Sequence, residues 1–251
     1  MAGTAVVESG KNEFEFKFYS AAKTKDGKDN SRYANYQTLE ARVGERVRVN
    51  GELSGRIWYN DGQAQMVNFN ELSAGFFNQP KPTEVDTSTF EYSGFVTKGI
   101  HERMNKEEEL IGYEIEIAQA NYNGDNMQIV KFMVDKDNAR IYNAILNAYQ
   151  VGMTVAVSGE IHYVVVMEEK VEEVMFGDPI VKTFQNTRKS FEITGGKTPI
   201  IEDGLAYSQA QIAKLQTAYN AYLAKVESDA KNKGTVTKNE PAQTSSSNGL
   251  L

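Results

Sequence analysis

Up to about Pro199, apolar and polar residues alternate with a period of two through much of the chain, which predicts half-buried β-strands. In the first part, Glu13 to Ala22 reads as a strand, Lys23 to Asn30 as a polar hairpin loop and Tyr33 to Ala41 as the next strand, leaving no room for a helix before Val43. The short Ala5-Val6-Val7 segment would have to supply an opening strand. After Leu53 a long hairpin is expected. Tyr59-Asn60-Asp61-Gly62 is its turn, because Asp-Gly suits the positive φ of a type I′ turn, and Gln63 to Leu72 is its return strand.

The second part carries a fuller set. Phe90 to Lys98 reads as a strand, Gly99 to Gly112 as a charged loop, Tyr113 to Ile117 as a strand, Asn123-Gly124-Asp125 as a turn and Met127 to Val134 as a strand. Asp137 or Asn138 can cap a helix to about Gln150, with Ile141, Ile145 and Tyr149 on one face. A further strand begins near Val151, a last one lies within Glu172 to Phe184, and Ser190 to Thr194 adds a short piece. Three strands, a helix and two strands is the order of an OB-fold, a five-stranded partly open barrel.

An internal repeat relates the parts. Val43-Gly44-Glu45-Arg46-Val47-Arg48-Val49-Asn50-Gly51-Glu52-Leu53 returns as Val151-Gly152-Met153-Thr154-Val155-Ala156-Val157-Ser158-Gly159-Glu160-Ile161, both of the form V-G-x-x-V-x-V-x-G-E-(L/I). A separation this long suggests two related domains rather than a solenoid, whose repeats run roughly 20–50 residues. The glycine inside each strand fits a bulge or a barrel corner. The expected fold is therefore mainly β: two tandem OB-fold domains, at residues 1–79 (trimmed) and 89–204, joined by a proline-containing linker at 80–88. A C-terminal helix follows at 205–233, capped by Ser208, with Ile212, Leu215, Tyr219, Tyr222 and Val226 as its apolar stripe. Residues 234–251, rich in Ser, Thr, Asn and Gln, are expected to form a disordered tail.

Composition narrows the chemistry. With no Cys there is no disulfide framework, thiolate metal site or Cys nucleophile. His101 and His162 are the only histidines and lie in no metal motif, and no P-loop or nucleophile elbow is present, so no enzyme activity and no cofactor are expected. Neither a signal peptide nor an apolar run of the roughly 20 residues that span a bilayer is visible, so a cytoplasmic protein is expected, in the host cytoplasm if phage-encoded. The net charge of −7 is unevenly spread: residues 1–85 balance to 0, residues 86–204 carry −9 and residues 205–251 carry +2. A phosphate-binding face therefore belongs in the first third.

Phe16 to Val49 resembles the core of bacterial and phage single-stranded DNA-binding proteins. Strand two, a basic hairpin loop, strand three and a G-x-x-V-x-V-x-G-x-(L/I) strand would be Phe16–Ala22, Lys23–Arg32, Tyr33–Ala41 and Gly44–Leu53. Phe90 to Ile161 matches the same order with its helix. The resemblance implies coating and protection of single-stranded DNA, without sequence preference, and two copies with a polar tail imply a phage protein of DNA replication or recombination. It also admits a homo-oligomer, and replication or recombination proteins as partners of the tail. The chain departs from the bacterial pattern at its tip, Ser245-Ser246-Ser247-Asn248-Gly249-Leu250-Leu251, which has no acid and no Pro-Phe ending.

Single strands are held by cations along the phosphates and by aromatics that stack on bases. The first domain offers Arg46 and Arg48 on the repeat strand, Arg56, Trp58 and Tyr59 near the hairpin tip, and Lys23, Lys25, Lys28, Arg32, Tyr33 and Tyr36 in and after the polar loop. The second domain has Thr154, Ala156, Ser158 and His162 at the equivalent outward positions and cannot hold phosphate strongly. Lys98, His101, Arg103, Lys131, Arg188 and Lys189 read as scattered. Two other functions stay open: an OB module for protein interaction or phage assembly without nucleic-acid binding, and a metal-dependent nuclease using Glu107-Glu108-Glu109 and Glu168-Glu169.

Overall fold

A computed structural model describes residues 1–105, 108–172 and 180–236. The chain is mainly β. Strands β1 (Ala2–Ser9) and β2 (Asn12–Tyr19) form a hairpin, followed by helix α1 (Ser31–Gln37), a 3₁₀ turn (Glu40–Arg42), and the long hairpin β3 (Arg48–Asn60) and β4 (Gln65–Asn78). Then come β5 (Thr89–Met104), β6 (Leu110–Ala120), β7 (Met127–Val134), α2 (Ala139–Ala148), β8 (Thr154–Glu172), β9 (Ile180–Gly196) and α3 (Gln209–Val236).

The last five strands close a barrel. β5 pairs antiparallel with both β6 and β8, β6 with β7, and β8 with β9, while a parallel step from β7 to β9 at Met133 and Glu192 shuts the ring. With α2 between the third and fourth strands, this is the order read from the sequence. Inward residues such as Ile115, Val130, Phe132, Val155 and Phe191 fill the barrel and are almost fully buried. Asn138 caps α2, its Oδ1 accepting from the Ile141 N–H at 3.3 Å, and Ile141, Ile145 and Tyr149 plug the barrel end.

The first half is a smaller set on the same sheet. β1 pairs antiparallel with β2, β2 runs parallel to β4 at Phe16 and Leu72, and β3 pairs with β4. Asn12 of β2 meets Val164 of β8, and Phe14, Leu53 and Leu72 share one core cluster with Phe90, Ile161 and Tyr163. The two repeat copies have the same local geometry. Gly44 and Gly152 both sit at φ +86°, a left-handed conformation that L side chains avoid. Both repeats lead into the first strand of an antiparallel hairpin, and each shifts register at its internal glycine, Gly51 or Gly159.

Several expectations are corrected. Tyr33 to Ala41 is not a strand: Asn30 caps α1 by accepting from the Arg32 N–H at 3.0 Å, and the 3₁₀ turn follows, so a helix does fit before Val43. The β3–β4 turn is not a two-residue type I′ turn at Asp61-Gly62. The strands end at Asn60 and Gln65, and the left-handed residue is Ala64 at φ +51°. β5 and β6 extend into the segment expected as a loop, and β9 is one strand where two pieces were expected. α3 continues to Val236, past Gly234 where the tail was placed; residues 237–251 of that tail lie outside the described residues. Its stripe also differs: Ile212, Leu215 and Tyr219 are buried with Leu223 packed beside them, whereas Tyr222 is 42% exposed. Among the described residues no helix is long and apolar enough to cross a membrane.

Candidate nucleic-acid interface

The β2–β4–β3 ribbon has an inner and an outer face. Phe16, Leu72 and Leu53 point inward, and the residues between them point out. On the outer face, Arg56 lies opposite Phe69 and Trp58 opposite Val67. Lys17 of β2 is paired with Ser73 of β4, and Tyr19 is two residues further along the same face. Tyr19, Trp58 and Phe69 are 74%, 48% and 36% exposed, so three rings stand in water on one ribbon. Glu71 lies among the cations and accepts a short hydrogen bond from Lys17 and one from Arg56 at 3.1 Å.

The basic residues proposed from the sequence fall at two ends of this ribbon. Arg32 stacks over the Phe76 ring at 5.8 Å, at the end where Arg48 pairs with Asn78. The loop bearing Lys23, Lys25 and Lys28 precedes α1 at that end, and Lys23 is bound to Asp29 at 2.5 Å. Arg56 and Trp58 lie toward the hairpin tip. Phe76 and Val67 are nine residues apart on β4, roughly 30 Å at ~3.3 Å per residue. Lys17 fills the interval, so cations and rings run from Arg32 through Lys17 and Arg56 to Trp58. Lys17, Tyr19 and Phe69 were missed by the sequence reading. The alternation in Glu13 to Tyr19 put Lys17 and Tyr19 on a shared outward face, but not which strand would lie beside them.

Other proposed residues are placed differently. Tyr36 is 2% exposed, and its hydroxyl donates to the carbonyls of Ala74 at 2.7 Å and Gly75 at 3.1 Å. Burial raises its pKa, and it is a core residue rather than a base platform. Tyr33 is half-buried on α1. Arg46 and Arg48 hold the segment after β4: Arg46 Nε donates to Asp86 at 2.9 Å, and Arg48 donates to Glu84 at 2.9 Å. Glu84 is held below the usual carboxylate range, first by the Lys81 backbone N–H and then by Arg48. Tyr59 alternates with Trp58 and points with Ile57 away from the outer face, toward the barrel and α3.

The basic residues of the second half that read as scattered are partly gathered by the barrel. His101, Arg103 and Lys131 approach Glu114 within 3.5 to 3.9 Å, Lys131 also reaches Glu116 at 3.8 Å, and Lys98 Nζ meets His101 Nε2 at 3.0 Å. Pairing across β5, β6 and β7 produces this cluster, with two carboxylates inside it, so little positive charge is left for phosphate. Lys189 lies over the Tyr163 ring at 4.8 Å. Among the described residues no group of three or more His, Asp or Glu converges as metal ligands; Glu107 and the side chains of Glu168 and Glu169 lie outside what the structure describes.

The sequence profile of the YorF family matches residues 2–229. No curated protein matches the sequence. Among solved structures, the chain is similar to the wild-type single-stranded DNA-binding protein from Thermus aquaticus, with 12% identity over 81% of each chain and a TM-score of 0.43. It is also similar to a deletion mutant of that protein, with 10% identity over 80% of this chain and 82% of the other, and a TM-score of 0.44.

Proposed function

The chain belongs to the YorF family, and we propose that it binds single-stranded DNA on the outer face of β2, β4 and β3 without acting on it chemically. The observation that carries this reading is the line of exposed rings at Tyr19, Phe69 and Trp58 beside Lys17 and Arg56. Large aromatics left in water on a flat ribbon give bases a stacking surface without reading their edges, so binding is independent of sequence. Cations at intervals along the same face track the phosphates. The wider role is that of a coat on single strands in phage DNA replication or recombination. In this reading residues 1–79 and 89–204 are two OB-type units, and the first carries most of the DNA. The second is limited by Glu114 and Glu116 within its basic cluster.

Oligo-dT titrated into the full chain tests this, read by quenching of the single Trp58. Saturable quenching at low salt, reversed by added salt and with the oligonucleotide intact after Mg²⁺ is added, is expected. Trp58→Ala and Phe69→Ala should each weaken binding by about 1–3 kcal/mol, measured by anisotropy of a labelled strand. Absence of binding at low salt refutes the reading, and cleavage on adding Mg²⁺ replaces it with a nuclease.

A further inference from the structure

The two repeat strands share their local geometry but not their neighbours. In the second half the open edge of the repeat strand is covered by β5: Thr89 pairs with Glu160, Glu91 with Ser158, Ser93 with Ala156 and Phe95 with Thr154. Phe90 and Tyr92 thereby enter the barrel core, and Val155 and Val157 are 0% and 3% exposed. In the first half the matching residues 46–52 have no strand on that edge among the described residues, and neither has the outer edge of β1. Val47 and Val49, the counterparts of Val155 and Val157, are only half-buried. Between the two edges lies a cavity of about 1570 Å³, walled by Ala5, Val7, Phe16, Val47, Val49 and Phe77.

We propose that this cleft is a docking slot for one extended segment of a partner protein, which enters as a strand between β1 and β3 and completes the first barrel. The internal repeat specifies the chemistry of the occupant. It runs antiparallel to β3, as β5 runs to β8, with apolar side chains at alternate positions to replace what Phe90 and Tyr92 supply in the second half. Its outward residues lie beside Arg46, Arg48 and Asn50, the counterparts of Thr154, Ala156 and Ser158. Two of those neighbours are cations, so the outward positions are acidic. At present Asp86 and Glu84 supply that charge from the segment after β4. Main-chain pairing to two open edges gives affinity, and the alternate side chains give selectivity. The chain's own residues 237–251 do not fit this description, since they contain no alternating apolar run.

The probe is a labelled peptide with the sequence of residues 88–97 carrying Ser93→Glu and Phe95→Glu, titrated into the full chain. Saturable binding is expected, with backbone amides in residues 2–9 and 46–52 newly protected from hydrogen exchange. A scrambled peptide of the same composition should bind at least about tenfold more weakly, a difference of ~1.4 kcal/mol. Val49→Lys should abolish binding by placing an ammonium in the slot. If that variant fails to fold, Arg46→Ala with Arg48→Ala, both on the surface, should remove the preference for the acidic peptide over the unmodified 88–97 sequence. Equal binding of the scrambled peptide, or protection elsewhere, overturns the proposal. So does a concentration-dependent dimer in which residues 2–9 and 46–52 are already protected without peptide, because the slot then belongs to a second copy of the chain.

Discussion

Glu71 binds both Lys17 and Arg56, so one carboxylate is shared by two cations and leaves a single net positive charge on this part of the ribbon proposed to carry DNA. Ion pairs at a surface contribute only about 0–1 kcal/mol to folding, so the arrangement does more to set the charge of the face than to hold the fold. Glu71→Gln keeps the shape and frees both cations. It should tighten oligonucleotide binding at low salt and steepen the salt dependence, by roughly 0.7 in the log–log slope for each further phosphate neutralised. A titration across several salt concentrations measures this, and an unchanged slope would show that neither cation faces phosphate. Arg46 and Arg48 show the converse: each is exposed, yet each already holds an acid from the segment after β4, which phosphate would have to displace.

The β3–β4 hairpin is fastened to the barrel through the edge of β7. Asn70 donates to the Lys131 carbonyl at 2.7 Å and accepts from its N–H at 3.0 Å, while Asn68 donates to the Ile129 carbonyl at 3.2 Å. These amide side chains stand where a neighbouring strand would pair, and they keep that stretch of edge from being exposed. Gly55 lies so close that a Cβ there would be 1.7 Å from the Ile129 carbonyl oxygen. Gly55→Ala must therefore push the hairpin off β7. A loss of about 1–3 kcal/mol in denaturant unfolding is expected, the usual cost of overpacking a tight contact. An unchanged midpoint would mean that the hairpin does not rest on β7 in solution.

Over the whole molecule, the core does not stop at the linker. Phe14 packs on Tyr163 at 5.5 Å between ring centroids, and Leu53 and Leu72 belong to the cluster that fills the barrel. Unfolding followed by Trp58 fluorescence in the first half and by circular dichroism of the whole should therefore coincide. Alkaline pH should weaken the fold. Burial pushes the Tyr219 phenol up to about 12 from 10.0, and burial raises Tyr92 and Tyr163 as well. The folded state thus favours the neutral ring. Its contribution to stability is fully present below pH 10 and is lost for Tyr219 as pH rises from about 10 to about 12. The melting temperature should fall across that window as tyrosinate absorbance appears, and a flat profile would place these rings in water.

The sequence alone determined most of the second half. β7 runs from Met127 to Val134 as read, the turn at Gly124 and the Asn138 cap are in place, and the repeat glycines have matching geometry, because alternation, capping and positive φ are local properties of the chain. Tertiary structure decided the rest. Tyr33 to Gln37 looked extended, but a capped turn of helix lets Tyr36 reach the Ala74 and Gly75 carbonyls, a partner no nearby residue announces. The candidate face depends on the parallel step between β2 and β4, which brings Lys17 onto Glu71 beside Arg56, with Phe69 and Trp58 toward the hairpin tip and Tyr19 toward the other end. Likewise, Arg46 and Arg48 meet their acids 36 to 40 residues away. Register between distant strands and ion pairs across such separations arise only when the chain packs on itself, so a pattern read along the chain named the residue types without showing which of them would meet.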